Sequence, residues 1–64
     1  MKVNGKDVSI VEPISLEKFI LSVDYNVNRI AVELNGRIVP KDNYANIILK
    51  NEDSLEIVTF VGGG

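Results

Sequence analysis

The sequence predicts an α+β domain in which one helix covers one face of a mixed β-sheet, and three patterns predict it. Two Asn-Gly pairs, Asn4-Gly5 and Asn35-Gly36, each stand between short apolar stretches. Such pairs mark two-residue hairpins, because a type I′ turn needs positive φ at both central positions. Between them, Leu16, Phe19, Ile20 and Val23 recur at i, i+3, i+4 and i+7, which places four apolar side chains on one side of a helix. Residues 54–61 then form the longest run of strand character. Strands grouped around a single helix bury their apolar faces against it in one layered core.

The elements follow in order. Residues 1–3 and 6–11 form the arms of the first hairpin, with Val8 and Ile10 alternating with Asp7 and Ser9. Pro13 ends that strand, since it cannot donate to a ladder. Ser15 stands where an N-cap belongs, and Glu17 lies in the first turn, where the helix dipole favours negative charge. Lys18 at the third helical position leaves no full capping box. The helix exits through Asp24, Tyr25 and Asn26, with Asn26 suited to a left-handed conformation. Ile30, Val32 and Leu34 alternate with Ala31 and Glu33 as a third strand, and residues 37–39 return as a fourth, stopped by Pro40. Residues 41–46 are polar and hold at most one helical turn around Tyr44, residues 47–49 are a short apolar piece, and residues 50–53 are a turn.

Composition narrows the function. The 64 residues contain no cysteine and no histidine. Disulfides and thiolate metal sites are thereby excluded, together with the usual general base near neutral pH. The carboxylates are scattered among lysines, with no metal-ligand spacing and no nucleophile–base pair, so an enzyme with its own catalytic site is not expected. No cofactor is implied. A net charge of −2 without a basic run argues against nucleic acid as a partner. No apolar run approaches the roughly 20 residues that span a bilayer. The opening residues lack the apolar core of a secretory signal, so the cytoplasm is the expected location.

The last strand carries more than fold information. Leu55, Ile57, Thr59 and Val61 share one face, and Ser54, Glu56, Val58 and Phe60 the other. If the first set meets the helix, Val58 and Phe60 point away from the core and make a candidate docking face. In the plainer alternative, they wrap an edge and complete a minor core.

The strand leads into Gly62-Gly63-Gly64. Glycines add nothing to packing and lose the most conformational freedom on ordering. They do make a thread, at most about 3.3–3.6 Å per residue, that can enter a narrow channel. Residues 1–61 are therefore expected to be the folded domain and residues 62–64 a flexible tail whose carboxyl, on Gly64, reaches into another protein. An α-carboxyl ionises near pH 3.3–3.7 and is unreactive at neutral pH. Condensation with ATP supplies AMP as a leaving group. A sulfur nucleophile then yields a thiocarboxylate, and an amine yields an amide. An inert tail is the plain alternative.

In Asn4-Gly5, Ser15-Leu16, Ala31-Val32-Glu33-Leu34-Asn35-Gly36, Ile38-Val39-Pro40, Asp53, Leu55-Glu56-Ile57 and Phe60-Val61-Gly62-Gly63-Gly64, the chain resembles the ThiS family of sulfur carriers in thiamine biosynthesis, over almost its whole length. The resemblance implies the ubiquitin-like β-grasp fold, a mixed sheet of about five strands with the last strand central, beside the first and third. It also implies a ThiF-like enzyme that adenylates Gly64, with Gly62, Gly63 and Gly64 threading into its active site. The resulting thiocarboxylate would deliver sulfur to a ThiG-like thiazole synthase, and a sulfur-donor enzyme is a further possible partner. Two relatives by chemistry remain open: the small subunit of molybdopterin synthase, which is usually longer, and a ubiquitin-like modifier joined to lysines. The chain departs from the family at Glu52-Asp53, where Gly-Asp is usual. If that glycine takes positive φ, either Glu52 is strained or the turn is rebuilt with Asn51 in the left-handed role.

Overall fold

The computed structural model describes residues 1–60. Strands β1 (Lys2–Val3) and β2 (Lys6–Asp7) form the first hairpin, followed by β3 (Ile14–Ser15) and helix α1 (Leu16–Ser22). Strands β4 (Ile30–Leu34) and β5 (Arg37–Ile38) form the second hairpin, and β6 (Ile48–Leu49) and β7 (Ser54–Thr59) complete the order. The main sheet has the order β2-β1-β7-β4-β5. β7 lies centrally, parallel to β1 and antiparallel to β4. Among the described residues no helix is long and apolar enough to cross a membrane.

Both Asn-Gly turns are as expected. Asn4 and Gly5 have φ of 52° and 82°, and Asn35 and Gly36 have 51° and 85°. A Cβ added at either glycine would meet nothing within 4 Å, so these positions need glycine for its backbone freedom and not for space.

Helix α1 begins where the sequence places it, because three of its orphan amides find acceptors. Leu16 N donates to Ile47 O at 2.8 Å and Glu17 N to Tyr44 O at 3.0 Å. Lys18 N donates to Ser15 Oγ at 3.1 Å. Leu16, Phe19 and Ile20 are buried. With Ile30, Val32, Val39, Tyr44, Leu49, Leu55 and Ile57 they make one core between the helix and the inner face of the sheet.

Several expectations need correction. Val23, assigned to the buried helical face, is the C-cap residue with non-helical φ of −105° and is exposed; the helix ends before it can turn that side chain inward. The left-handed exit falls on Asp24 (φ 64°) and not on Asn26, which instead caps a short 3-10 turn, Val27–Arg29, by accepting from Asn28 N. Strand β2 stops at Asp7, although Val8 N still donates to Met1 O at 2.8 Å and the Met1 amino group to Val8 O at 2.9 Å. Beyond Val8, Ile10 N donates to the Asn51 side-chain oxygen and Ile10 O accepts from its nitrogen, so that part is held by a side chain where a ladder was expected. The fourth strand is likewise shorter than residues 37–39. Val39 nonetheless keeps its place by donating to Val32 O at 2.9 Å.

Glu52 causes no strain. The positive-φ residues that are not glycine are Asn4, Asp24 and Asn35 among the described residues, so neither Glu52 nor Asn51 takes the left-handed role. Asp53 closes the turn instead. Its amide donates to Lys50 O at 3.0 Å, and its carboxylate accepts from Lys50 N at 2.9 Å and from Asn35 Nδ2 at 3.0 Å. The pairing of β3 with β6 makes a second, two-stranded sheet that no sequence pattern announced.

The helical turn expected near Tyr44 is a 3-10 turn, Lys41–Asn43, that ends at this residue and delivers its ring to the core. Burial pushes the Tyr44 hydroxyl above its usual ionisation range, because a phenolate is poorly solvated there. In the unfolded chain tyrosine ionises near pH 10. Above that pH the unfolded state binds fewer protons than the folded one, so stability falls as pH rises. The Tyr44-linked stabilisation is complete below pH 10 and is lost as pH passes the raised folded value. Urea denaturation between pH 9 and 11.5 should show a downward slope that Tyr44→Phe reduces.

Candidate functional site

The central strand carries the candidate site to the edge of the described structure. β7 is held on both sides by its neighbours, and alternation along it separates two environments. Leu55 and Ile57 enter the core. Val58 and Phe60 remain 57% and 51% exposed, as the docking reading requires and the minor-core alternative does not. The helix covers the inner face only, and nothing among the described residues covers the outer one. Thr59, assigned to the inner face with Leu55 and Ile57, is exposed, because the core ends at Ile57.

Register shows what surrounds the two apolar side chains. Ala31 lies opposite Val58, and Glu33 lies opposite Glu56, so the outer face pairs a small apolar patch with two carboxylates. Phe60 N donates to Arg29 O at 2.7 Å, which keeps the chain aligned with its neighbour past the end of β7. Val61 and the three glycines, including the proposed reactive Gly64, lie outside the described residues.

Sequence reasoning missed the part played by Asn4. Beyond its place in the turn, its side-chain amide accepts from Ile57 N at 2.7 Å and donates to Ile57 O at 3.2 Å. It thereby extends the β1 side of the ladder after β1 has turned away. An Asn-Gly motif signals the turn, and only the fold brings the carboxamide to Ile57, which is 53 residues distant.

Among the described residues there is no pocket and no group of three or more His, Cys, Asp or Glu placed to hold a metal. The geometry offers a central strand paired on both sides and an exposed apolar face at its end. A model of the ThiS family matches residues 1–64.

The chain belongs to the ThiS family.

Its similarity to named proteins agrees. It is 34% identical over 65 residues to the sulfur carrier protein ThiS of Bacillus subtilis, covering 100% of this chain and 98% of that one. A thiamine biosynthesis protein (ThiS) from Geobacter metallireducens superimposes with a TM-score of 0.83 at 26% identity, covering 98% of this chain and 96% of that one. The β-grasp assignment of this ThiS-family chain therefore holds. A thiazole synthase of Paramagnetospirillum magneticum is 36% identical over 62 residues. That alignment takes in 97% of this chain and 19% of the synthase, so the region resembling a ThiS-family domain is about one fifth of that polypeptide.

Proposed function

We propose that this chain carries sulfur, in the cytoplasm, as a thiocarboxylate on Gly64 for the thiazole ring of thiamine. A ThiF-like enzyme joins the Gly64 carboxylate to AMP from ATP and releases pyrophosphate. A sulfur nucleophile at the oxidation level of sulfide attacks the carbonyl carbon, forms the C–S bond and expels AMP. A ThiG-like thiazole synthase then takes the sulfur, and the carrier returns as the carboxylate. The chain itself supplies no acid, base or nucleophile to these steps; it presents the end group, and Gly62 and Gly63 leave the approach to it unobstructed.

The observation that carries this reading is the central strand of a ThiS-family fold, which ends in an uncovered apolar face two residues before the glycines. The similarity to a thiazole synthase supports the choice of acceptor. Intact-mass analysis of carrier incubated with a ThiF-like enzyme, ATP and a sulfide source tests it. The expected product has one oxygen of the terminal carboxyl replaced by sulfur. Recovery of unchanged carboxylate, or of isopeptide-linked lysine adducts in its place, would overturn the reading.

Val58 and Phe60 form the docking face in this proposal. Phe60→Ala is expected to raise the KM for carrier in ATP–pyrophosphate exchange by about tenfold or more, as truncation of an aromatic anchor costs on the order of 2 kcal/mol. Its thermal midpoint should change little, since the ring stands half outside the fold. An equal loss of folding stability would place Phe60 in the core.

A further inference from the structure

On its β1 side, β7 has no hydrogen-bond partner at Thr59 among the described residues. In an antiparallel ladder, directly opposed residues alternate between hydrogen-bonded and non-bonded pairs. Between β4 and β7, Asn35 N donates to Ser54 O and Phe60 N donates to Arg29 O. These two bonds assign residues 54, 56, 58 and 60 to the β4 side. Residues 55, 57 and 59 must turn their N–H and C=O groups the other way, toward β1. Two of those three are occupied. Leu55 O accepts from Asn4 N at 2.9 Å, and Ile57 is satisfied by the Asn4 carboxamide. Thr59 is next in the series. By then β1 has ended at Val3, and no described residue pairs with its amide or its carbonyl on that side.

We infer that Thr59 is a strand-pairing point for an extended backbone segment of the protein that receives the tail. The inference rests on the sulfur-carrier reading for the identity of that protein. The molecule shows what fits: at Ile57 the same pair of groups is met by the carboxamide of Asn4, one donor and one acceptor arranged as in a peptide unit. One residue of extended chain offers that same pair, and an unpaired strand edge is a template for it. The position is also apt. Val58 and Phe60 flank Thr59 on the outer face, so a segment laid along this edge lies beside the apolar face.

The chain is short enough for total synthesis, which permits N-methylation of the Thr59 amide alone. The methyl group removes the donor and obstructs the edge, while the hydrogen bonds to β4 use other residues. In ATP–pyrophosphate exchange with a ThiF-like enzyme, the methylated carrier should show a KM about tenfold higher, the scale of one lost hydrogen bond with its partner left unsatisfied. A wild-type KM for the methylated carrier would overturn the inference while leaving the sulfur-carrier reading intact. Absence of exchange with the unaltered carrier would overturn both. Should the methylated chain fail to fold, amide hydrogen exchange in the unaltered carrier decides. The Thr59 amide should exchange freely in the isolated carrier and about a hundredfold more slowly in the enzyme complex; equal rates would refute the pairing.

Discussion

A chain lacking Gly63 and Gly64 is expected to melt at the temperature of the full chain and to acquire no sulfur at all. The first half follows from the fold. Among the described residues every buried core residue lies between Leu16 and Ile57, and the last strand keeps its neighbours through the hydrogen bond from Phe60 N to Arg29 O. Removing two residues beyond that point takes nothing from the core. The second half follows from chemistry. Truncation leaves a carboxyl on Gly62, two residues short of its former reach, a deficit of about 7 Å for extended chain. Reacting groups must come within roughly 3–3.5 Å for an attack geometry, so the loss should be complete and not partial. Circular dichroism melting together with intact-mass analysis after incubation with a ThiF-like enzyme, ATP and sulfide checks both halves. Undiminished activity of the truncated chain would mean that the domain acts only by binding.

Leu55→Ala should have the largest effect on stability. Leu55 is 0% exposed and sits in the central strand, opposite Val3 on one side and Leu34 on the other. Truncating a leucine in such a site costs about 2–5 kcal/mol, from lost burial and the cavity left behind. A domain of this length has about 3–10 kcal/mol in total, so one substitution removes a large share of it. Val58→Ala, three residues along the same strand and on the outer face, should stay within roughly 0.5 kcal/mol. Urea unfolding of the two variants measures the contrast. A similar midpoint for both would mean that the two faces of β7 are not as unequal as their burial indicates.

Much of the site was legible because its signals are local. Alternation along residues 54–61 separates Val58 and Phe60 from Leu55 and Ile57 without reference to any other part of the chain, and their exposure bears this out. The Asn-Gly turns are equally self-contained, since their requirement for positive φ falls on the two residues themselves. The extent of each element was less legible. The second arm was expected over residues 6–11, but its strand ends at Asp7 and its pairing with the first arm at Val8, opposite Met1, and Ile10 is bonded instead to the Asn51 side chain from across the molecule. Helix α1 loses Val23 to its C-cap, and the left-handed residue is Asp24 where Asn26 was expected, two residues whose short polar side chains both tolerate positive φ.

By itself the sequence determined the class of fold, the two hairpin turns and the helix start at Ser15, because each depends on residue type and short-range periodicity. Only the tertiary structure decided that Ile14–Ser15 pairs with Ile48–Leu49, that Asp53 ties the turn beside Glu52 to Asn35, that Asn4 completes the ladder at Ile57, and that Thr59 finds no partner on that side among the described residues. Apart from the local bonds between Asp53 and Lys50, these are hydrogen bonds, or a missing one, between groups many residues apart. Such pairings are set by where packing brings the backbone, which no stretch of sequence encodes alone.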